Sequence, residues 1–295
     1  MQLHPITDLA PISAAITEFL LQYPAENNLP LGVWQTLTAM EKTRLQQCFV
    51  AYLDHAGEIV GVALQMQPYP LLLSFGWDQV GLQLVIQALQ TQGRSVSGVS
   101  AMVTEAQQFA HLWTTTTGQP HALEMGMRLH QLTACQPISP TPGFLRLATA
   151  ADRAWLIEAY RMFNQEVFPE RSGSNAFSDV EASIDLFLQQ QRAYLWLDTV
   201  EDSRAEAEPV SFVCSQRFSP QFARVGPVFT PLQHRRKGYA TACVYAVSQM
   251  QLNQGCHSCF IFTDLKNPTS NHIYAKIGYR AIGDWAIYNF LDSPD

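Results

Sequence analysis

The chain has 295 residues, of which 47% are hydrophobic, and this length favours two domains that each bury a core of their own. Lysine and arginine together number 18 against 25 aspartates and glutamates, which gives a formal charge of -7. A chain with this charge balance has no global basic field, so nucleic acid and anionic membrane surfaces are disfavoured as its principal partners.

The amino terminus and the cysteines are typical of a cytoplasmic protein. The first eight residues lack the basic start and apolar run of a signal peptide, and no stretch of about 18 apolar residues follows anywhere. The six cysteines are scattered through apolar segments, as expected in a reducing compartment. Cys256 and Cys259 have a metal-like spacing, but residues three apart on a strand point to opposite faces, so we expect no metal site there.

Three prolines within residues 136–143 mark the clearest boundary, because proline removes amide donors and disfavours helix at the residue before it. We therefore predict a first domain at 1–135, a linker at 136–143 and a second domain at 144–295. In the first domain, hydrophobic periodicity and turn residues predict strands at 48–53, 59–67, 71–74 and 96–103 and helices at 78–90 and 104–115.

The second domain is predicted to run in the order β-α-α-β-β-β-α-β-α-β. Both domains share the segment strand pair, strand, helix, strand, helix, strand, which indicates a tandem duplication of one α/β fold. The acidic run at 198–209 is interpreted as a solvated hairpin loop. The predicted strands are 145–148, 194–197, 210–218, 223–229, 257–263 and 285–290, and the predicted helices begin at Thr149, Asp179, Arg236 and Pro268.

The segment 225–242 contains the most informative pattern in the sequence. An apolar strand enters a basic, glycine-bearing turn that opens a helix, which places free amides and the positive end of a helix dipole at one point. Gly238 lets the backbone approach an anion closely, and the small Ala240 allows tight packing there. Arg235, Arg236 and Lys237 add positive charge. The pattern predicts a phosphate-binding loop.

A second motif begins at Asn267, which has the character of a helix N-cap, with Pro268 at the first helical position, where its missing amide costs nothing. Asn267, Asn271 and Tyr274 then fall on one face of the predicted helix. This polar stripe is expected to face a ligand or solvent.

Both motifs resemble those of the GNAT acetyltransferases. Residues 235–240, Arg-Arg-Lys-Gly-Tyr-Ala, resemble the family's acyl-CoA pyrophosphate loop, [Gln/Arg]-x-x-Gly-x-[Gly/Ala], and residues 267–279 resemble its Asn-x-x-[Ala/Ser]-x-x-x-Tyr-x-Lys-x-Gly-[Phe/Tyr] segment. The whole chain is similar to bacterial two-domain acetyltransferases whose divergent first half has a stretch like 25–32. The resemblance implies the GNAT fold, an α/β (α+β) fold with a mixed, mostly antiparallel sheet flanked by helices, in two tandem GNAT-like domains.

The resemblance also implies an acetyl-CoA-dependent N-acetyltransferase in which a primary amine attacks the thioester directly, with acetyl-CoA as cosubstrate and no metal. By resemblance, Asn267 contacts the pantetheine arm, and Tyr274 lies near the sulfur, where its phenol can protonate the departing thiolate. An amide of the strand that ends at Phe229 would receive the charge on the carbonyl oxygen. The residues expected to bind the cofactor are Val228, Phe229, Thr230, Arg235, Arg236, Lys237, Gly238, Tyr239, Ala240, Thr241, Asn267, Ser270, Asn271 and Tyr274.

The catalytic base is less sharply indicated. Glu166, near the end of a helix, is the candidate, with Gln216 and Ser215 as possible residues of the acceptor groove, and a water relay is an alternative. Residues 70–80 of the first half offer no lysine or arginine where the second half has its loop. We therefore expect the first domain to lack acyl-CoA binding and to shape the acceptor groove or a homodimer contact.

Two other functions stay open at this point. A non-catalytic acyl-CoA-binding regulatory module would use the phosphate loop but transfer nothing, and Tyr274 argues against it. A tandem transferase of a longer acyl group would share both motifs. The acceptor amine is not indicated by the sequence.

Overall fold

The structure, a computed structural model, describes residues 1–169, 180–198 and 207–291. Its internal contacts divide the chain into two compact units. Unit 1 comprises Met1–Leu129, Phe262–Asn267 and Ala281–Asp295, and unit 2 comprises His130–Ile261 and Pro268–Arg280. Unit 1 thus takes in segments near the end of the chain that a cut at 136–143 would leave in the second domain.

Unit 1 carries a sheet in the order β1-β2-β3-β4-β5-β12, in which β4 and β5 are parallel and the other neighbouring strands antiparallel. Ala56 and Gly57, both with positive φ, form the two-residue hairpin turn between β2 and β3. The strands are β1 Gln2–Pro5, β2 Phe49–His55, β3 Glu58–Gln65, β4 Leu71–Leu73, β5 Gly98–Met102, β6 His121–Leu132 and β12 Arg280–Phe290, and the helices are α1 Ser13–Gln22, α2 Asn28–Thr38, α3 Lys42–Leu45, α4 Gln79–Thr91 and α5 Val103–Thr117.

Unit 2 carries a sheet in the order β11-β10-β9-β8-β7, in which β10 and β11 are parallel and the other neighbouring strands antiparallel. From β7 to β12 the chain follows the predicted β-α-α-β-β-β-α-β-α-β order, and the predicted fold class is confirmed. The strands are β7 Phe144–Leu147, β8 Ala193–Asp198, β9 Glu208–Ser219, β10 Phe222–Phe229 and β11 Ser258–Asp264, and the helices are α6 Arg153–Val167, α7 Val180–Gln189, α8 Tyr239–Asn253 and α9 Pro268–Ile277.

The sheet of unit 2 has a different core on each face, because successive side chains of a strand point to opposite sides. Ala223 and Val225 of β10 pack with α8 in one core. Phe212 and Cys214 of β9 and Phe229 of β10 pack with α6 and α7 in the other. We call these the α8 face and the α6/α7 face.

Several elements depart from the sequence predictions. No helix was predicted before residue 48, where the structure has α1 to α3. Helix α2 contains Pro30 and Gly32, which are typical of helix breaks, so its hydrophobic periodicity did not predict a helix. Pro30 is the third residue of α2, where a helix needs no amide donor. The predicted acidic loop at 198–209 falls largely outside the described residues, as does the predicted helix start at Asp179.

The expected geometry of Cys256 and Cys259 is wrong. β11 begins only at Ser258, so strand alternation does not apply to Cys256, and both thiols are buried in the core of the α8 face. All six cysteines are free. Over 1–169, 180–198 and 207–291, no three histidine, cysteine, aspartate or glutamate side chains are grouped as metal ligands. Within the same ranges, none of the helices has the length and apolar character needed to span a membrane.

The start of α6 is fixed by Asp152, whose side chain is 8% exposed. Its carboxylate accepts hydrogen bonds from Arg146 Nη1 and Nη2 at 2.7 Å each and from the Thr149 amide at 2.7 Å. The Arg146 guanidinium, helped by Thr149 and opposed by burial, lowers the pKa of Asp152 to about 2. The beginning of α6 therefore depends on an ionised carboxylate.

We expect Asp152→Asn to lower the free energy of unfolding by about 1–2 kcal/mol at neutral pH. A carboxyl whose folded pKa is depressed contributes stability above its unfolded pKa of about 4 and loses it as the pH falls towards the folded value of about 2. The difference between wild type and variant in urea unfolding should thus shrink over that window. The exposed Asp185, paired with Arg153, is the control, and Asp185→Asn should cost less. An Asp152→Asn deficit that is constant with pH would contradict this account.

Candidate functional site

The loop between β10 and α8 leaves backbone donors at a helix start. After a 3-10 turn at Leu232–His234, α8 begins with Gly238 as its N-cap. The first hydrogen bond of the helix runs from the Ala242 amide to the Gly238 carbonyl at 3.0 Å. The amides of the three preceding residues therefore have no partner inside the helix, and they lie at the positive end of its dipole. This geometry binds anions.

Gly238 is required by the shape of the loop. Its φ is +87°, in the left-handed region, and Arg236 two residues earlier has a φ of +65°. A Cβ at Gly238 would lie 3.1 Å from Thr141 Oγ1. Thr141 was not predicted as a site residue, since it belongs to the proline-rich segment 136–143. That segment is part of unit 2, in which Trp196 Nε1 donates a hydrogen bond to the Pro142 carbonyl at 2.9 Å.

The three predicted cations of the loop have different surroundings. Arg235 donates from Nε to the Thr230 carbonyl at 2.9 Å and from Nη2 to Glu166 Oε2 at 2.5 Å. Its guanidinium also lies over the Phe229 ring, 5.5 Å from the centroid. Arg236 and Lys237 are exposed. Arg235 thus ties the end of β10 to α6, and Arg236 and Lys237 are the cations of the loop that face solvent.

Tyr239 is buried, and Nζ of the loop residue Lys237 lies over its ring, 5.9 Å from the centroid. Its hydroxyl donates to the Asp198 carboxylate, and burial together with that bond raises the pKa of the phenol to about 12. Ala240 and Thr241 are partly exposed beside it.

The strand that leads into the loop has an edge that no neighbouring strand pairs with. The parallel ladder of β10 with β11 covers Phe222 to Arg224 of β10 and ends there, while β10 continues to Phe229. On its other side β10 stays paired with β9, through an irregular register between Val225 and Val228. Within the described residues, the β11 side of residues 225–229 therefore offers backbone groups to an extended ligand that carries amides.

The residues of α9 divide between core and surface. Tyr274 is 7% exposed and belongs to the same core as Tyr239 and the partly buried Val228. Burial raises the pKa of its phenol, against a hydrogen bond with Ser270 that lowers it. Asn271 Oδ1 lies 3.3 Å from Nε2 of His130, a histidine that was not singled out from the sequence. Asn267 is exposed, so the predicted polar stripe includes one buried phenol.

Glu166 and Tyr274, the predicted catalytic residues, belong to different faces of the sheet. Tyr274 packs in the core of the α8 face. Glu166 lies near the end of α6, and its partner Arg235 contacts Phe229, which packs in the core of the α6/α7 face. The end of β10 borders both faces, because Val228 packs in the core of the α8 face and Phe229 in that of the α6/α7 face.

Ser215 and Gln216, the other candidates for the acceptor groove, cannot both line it. Adjacent residues of a strand point to opposite faces, and Gln216 shares the α6/α7 face with Cys214. Gln216 Oε1 accepts a hydrogen bond from Arg224 Nη2 at 2.8 Å. Arg224 was not predicted from the sequence, because a single basic residue in an apolar strand gives no motif.

At the corresponding helix start in unit 1, the protein's own side chains accept hydrogen bonds from three backbone amides. There the loop from β4 to α4 donates from the Phe75 amide to Asn27 Oδ1 at 2.8 Å and from the Gly76 amide to Glu105 Oε1 at 3.0 Å. Asp78 caps α4 by accepting from the Gly81 amide at 2.8 Å. Two carboxylates thus occupy positions where the second half leaves backbone donors for a ligand.

Part of the second half of the chain matches a known family model. Residues 207–288, which include β9, the loop and α9, match the family model described as FR47-like protein. No curated protein sequence matches the chain.

Solved structures share the fold over nearly the whole chain. A GNAT-family acetyltransferase from Colwellia psychrerythraea is 10% identical, with a TM-score of 0.58 and coverage of 98% of this chain and 99% of that one. A Drosophila protein, 10% identical with a TM-score of 0.67, covers 98% of each chain. A tandem GNAT protein from the clavulanic acid biosynthesis pathway, solved without acetyl-CoA, is 10% identical with a TM-score of 0.58 and covers 100% of both. This chain therefore has the fold of the GNAT acetyltransferases, including that of a tandem member, as the resemblance of residues 235–240 and 267–279 implied.

Proposed function

We propose that the protein is an acetyl-CoA-dependent N-acetyltransferase that moves the acetyl group directly from the CoA thioester to a primary amine. The observation that carries the proposal is the start of α8. Three amides there precede the first helical hydrogen bond, beside Gly238 and the exposed Arg236 and Lys237. These groups suit the pyrophosphate of CoA, which carries negative charge and accepts hydrogen bonds.

The rest of the cofactor follows the strand that enters this loop. The pantetheine arm has two amides, and the unpaired edge of residues 225–229 offers backbone partners for them. In this pose the thioester carbonyl accepts a hydrogen bond from the end of β10, which stabilises the negative charge that develops on its oxygen. The proposed cofactor residues are those predicted from the sequence: Val228, Phe229, Thr230, Arg235, Arg236, Lys237, Gly238, Tyr239, Ala240, Thr241, Asn267, Ser270, Asn271 and Tyr274.

In the proposed reaction the neutral amine forms a bond to the acetyl carbon, and the carbon–sulfur bond then breaks. The thiolate leaves with the electron pair and takes a proton from the Tyr274 hydroxyl. A phenol is protonated at neutral pH, as a proton donor must be, and burial raises the pKa of this one, which makes it a weaker acid. Alignment of the two substrates contributes to the rate in addition to this proton transfer.

For the proton lost by the attacking amine, Glu166 is the proposed acceptor, either directly or through a water. Its Oε2 already accepts from Arg235 at 2.5 Å, so proton transfer falls to its second oxygen. The same bond gives Glu166 a positioning role, because Arg235 also holds the Thr230 carbonyl at the end of β10.

One observation favours the non-catalytic alternative, an acyl-CoA-binding regulatory module. Tyr274 packs against Tyr279 with ring centroids 6.0 Å apart and is hydrogen bonded to Ser270, as a purely structural tyrosine would be. Release of free thiol from acetyl-CoA in the presence of a broad panel of amines separates the two functions. Longer acyl-CoAs in the same assay test the other alternative, transfer of a longer acyl group.

We expect Gly238→Asp to weaken acetyl-CoA binding by about 30-fold or more, because a carboxylate there repels phosphate and caps the amides of α8 as Asp78 caps α4. Calorimetry of wild type should show one acetyl-CoA per chain, since the helix start in unit 1 is already filled. Gly255→Asp is the matched control: Gly255 follows the other end of α8, also has positive φ, and has nothing within 4 Å of its would-be Cβ. Two equivalent sites, or wild-type affinity in a folded Gly238→Asp protein, would show that the phosphate loop is misplaced.

We expect Tyr274→Phe to reduce turnover by about 10²–10⁴-fold while the affinity for acetyl-CoA barely changes, because the ring packing stays and only the proton donor is lost. The loss is smaller if water replaces the phenol. Steady-state thiol release with an acceptor from the panel measures turnover, and calorimetry measures affinity. Ser248→Ala, which removes the hydroxyl partner of the neighbouring Tyr279, controls for disturbance of the same core. Wild-type turnover in Tyr274→Phe would remove the general-acid role.

A further inference from the structure

Arg224 is a partly buried cation on the face of the sheet that the CoA loop does not use. It lies on β10 directly opposite Gln216 of β9. Its neighbours Ala223 and Val225 pack in the core of the α8 face. Because side chains alternate along a strand, Arg224 projects to the α6/α7 face.

The hydrogen-bonding capacity of Arg224 is only partly used. Nη2 donates to Gln216 Oε1 at 2.8 Å, whereas the buried Nη1 has no acceptor in the described part of the chain. A guanidinium has five N–H donors and seeks planar acceptors such as carboxylate or phosphate. Arg224 therefore has donors left for one more oxygen-bearing group.

The charge of Arg224 is also left unbalanced. Burial, followed by the nearby positive charge of Arg192, lowers the pKa of Arg224 to about 10, so it is still a cation at neutral pH. Across residues 1–169, 180–198 and 207–291, the structure shows no carboxylate paired with it. With Arg192 near enough to act on Arg224, the positive charge at this position has no counterpart within the described residues.

The surroundings of Arg224 make a purely structural role costly. Tyr160 of α6, whose ring stacks on Phe163 and meets Phe212 edge to face, is close enough to influence its charge. A cation that packs beside aromatic and apolar groups loses part of its hydration, which destabilises a fold unless a partner compensates for it. A bound anion would be such a partner for Arg224.

This anion is distinct from the phosphates of CoA. The amides of the phosphate loop begin α8, which covers the opposite face of the sheet. Along β10, Arg224 and Val228 are roughly 13 Å apart at about 3.3 Å per residue. An anion at Arg224 thus lies on the acceptor side of the site, separated by a spacer from the end of β10 where transfer takes place.

We propose that the acceptor is an amine that also carries an anionic group, a carboxylate or a phosphate, and that Arg224, together with Gln216, binds that group. This inference rests on the proposed acetyl transfer for its orientation, since the second substrate is the one expected on the α6/α7 face. Arg224 is accordingly a specificity-determining residue of the acceptor site.

The test uses amines in matched pairs that differ only in the anionic group. Lysine is compared with lysinamide, glucosamine 6-phosphate with glucosamine, and ω-amino acids of increasing length with their amides. The carboxylate and phosphate pairs tell the two anions apart, and the ω-amino acid series measures the spacer. The variants are Arg224→Met, which keeps length but not charge, and Arg224→Lys, which keeps charge but not the planar fork. Arg217→Met is the control, because Arg217 is an exposed arginine beside Gln216 that bonds to the carbonyls of Pro220 and Gln254.

We expect wild type and Arg217→Met to prefer the anionic member of at least one pair by about 30-fold or more in kcat/KM. Arg224→Met should lose that preference while its affinity for acetyl-CoA is unchanged, and Arg224→Lys should keep part of it. The melting temperature of Arg224→Met should equal or exceed that of wild type, because removing an unbalanced, partly buried charge does not destabilise the fold.

Calorimetric titration of the same pairs into the CoA-bound protein measures binding at the anion site without requiring turnover. Binding of an anionic member that is lost in Arg224→Met supports the site even if no amine is acetylated, an outcome in which the proposed transfer fails and the anion site stands. Equal binding and equal rates for charged and neutral members, or a preference that survives in Arg224→Met, would overturn the inference. A large drop in the melting temperature of Arg224→Met together with an unchanged preference would assign Arg224 to the fold instead.

Discussion

A helix leaves its first amides without partners, and the chain meets this constraint in two different ways at equivalent places. Each unit has a parallel pair of strands joined through a helix, β4 to β5 through α4 and β10 to β11 through α8. At α4 the donors around the helix start are taken by Asn27, Glu105 and Asp78. At α8 the N-cap is Gly238, which has no side chain to offer. The same kind of helix start is therefore bonded to side chains of the protein at α4 and is proposed to bind a ligand at α8.

The rest of the proposed site is arranged around the open helix start. The cofactor is expected on the α8 face, where the loop, Val228 and Tyr274 share a core. The acceptor is expected on the α6/α7 face, where Glu166 is tied to the loop through Arg235 and where Arg224 has donors to spare. Since the end of β10 borders both faces, small shifts of Phe229 or Thr230 would affect both substrates. The Arg235 bond to the Thr230 carbonyl limits such shifts.

The features that could be predicted from the sequence are those whose signal is local. The predicted phosphate loop combines a strand end, a glycine and three cations within a few residues, and α8 begins at Tyr239, three residues after the predicted start at Arg236. The order of elements in the second half follows from the same periodicity. Features that depend on pairing between distant segments had no such signal: the partner of Arg224 is on another strand, and the contact of Thr141 with Gly238 joins residues far apart in sequence. The helix α2 was hidden because Pro30 usually marks a break, although the third position of a helix tolerates it.

Hydrogen exchange with and without saturating acetyl-CoA tests the central claim most directly, because it reports which backbone amides the ligand binds. The account predicts slower exchange for amides of residues 235–242, with the amides of residues 75–81 in the first half unchanged. Protection of 75–81, or saturated binding that leaves 235–242 unprotected, would contradict it.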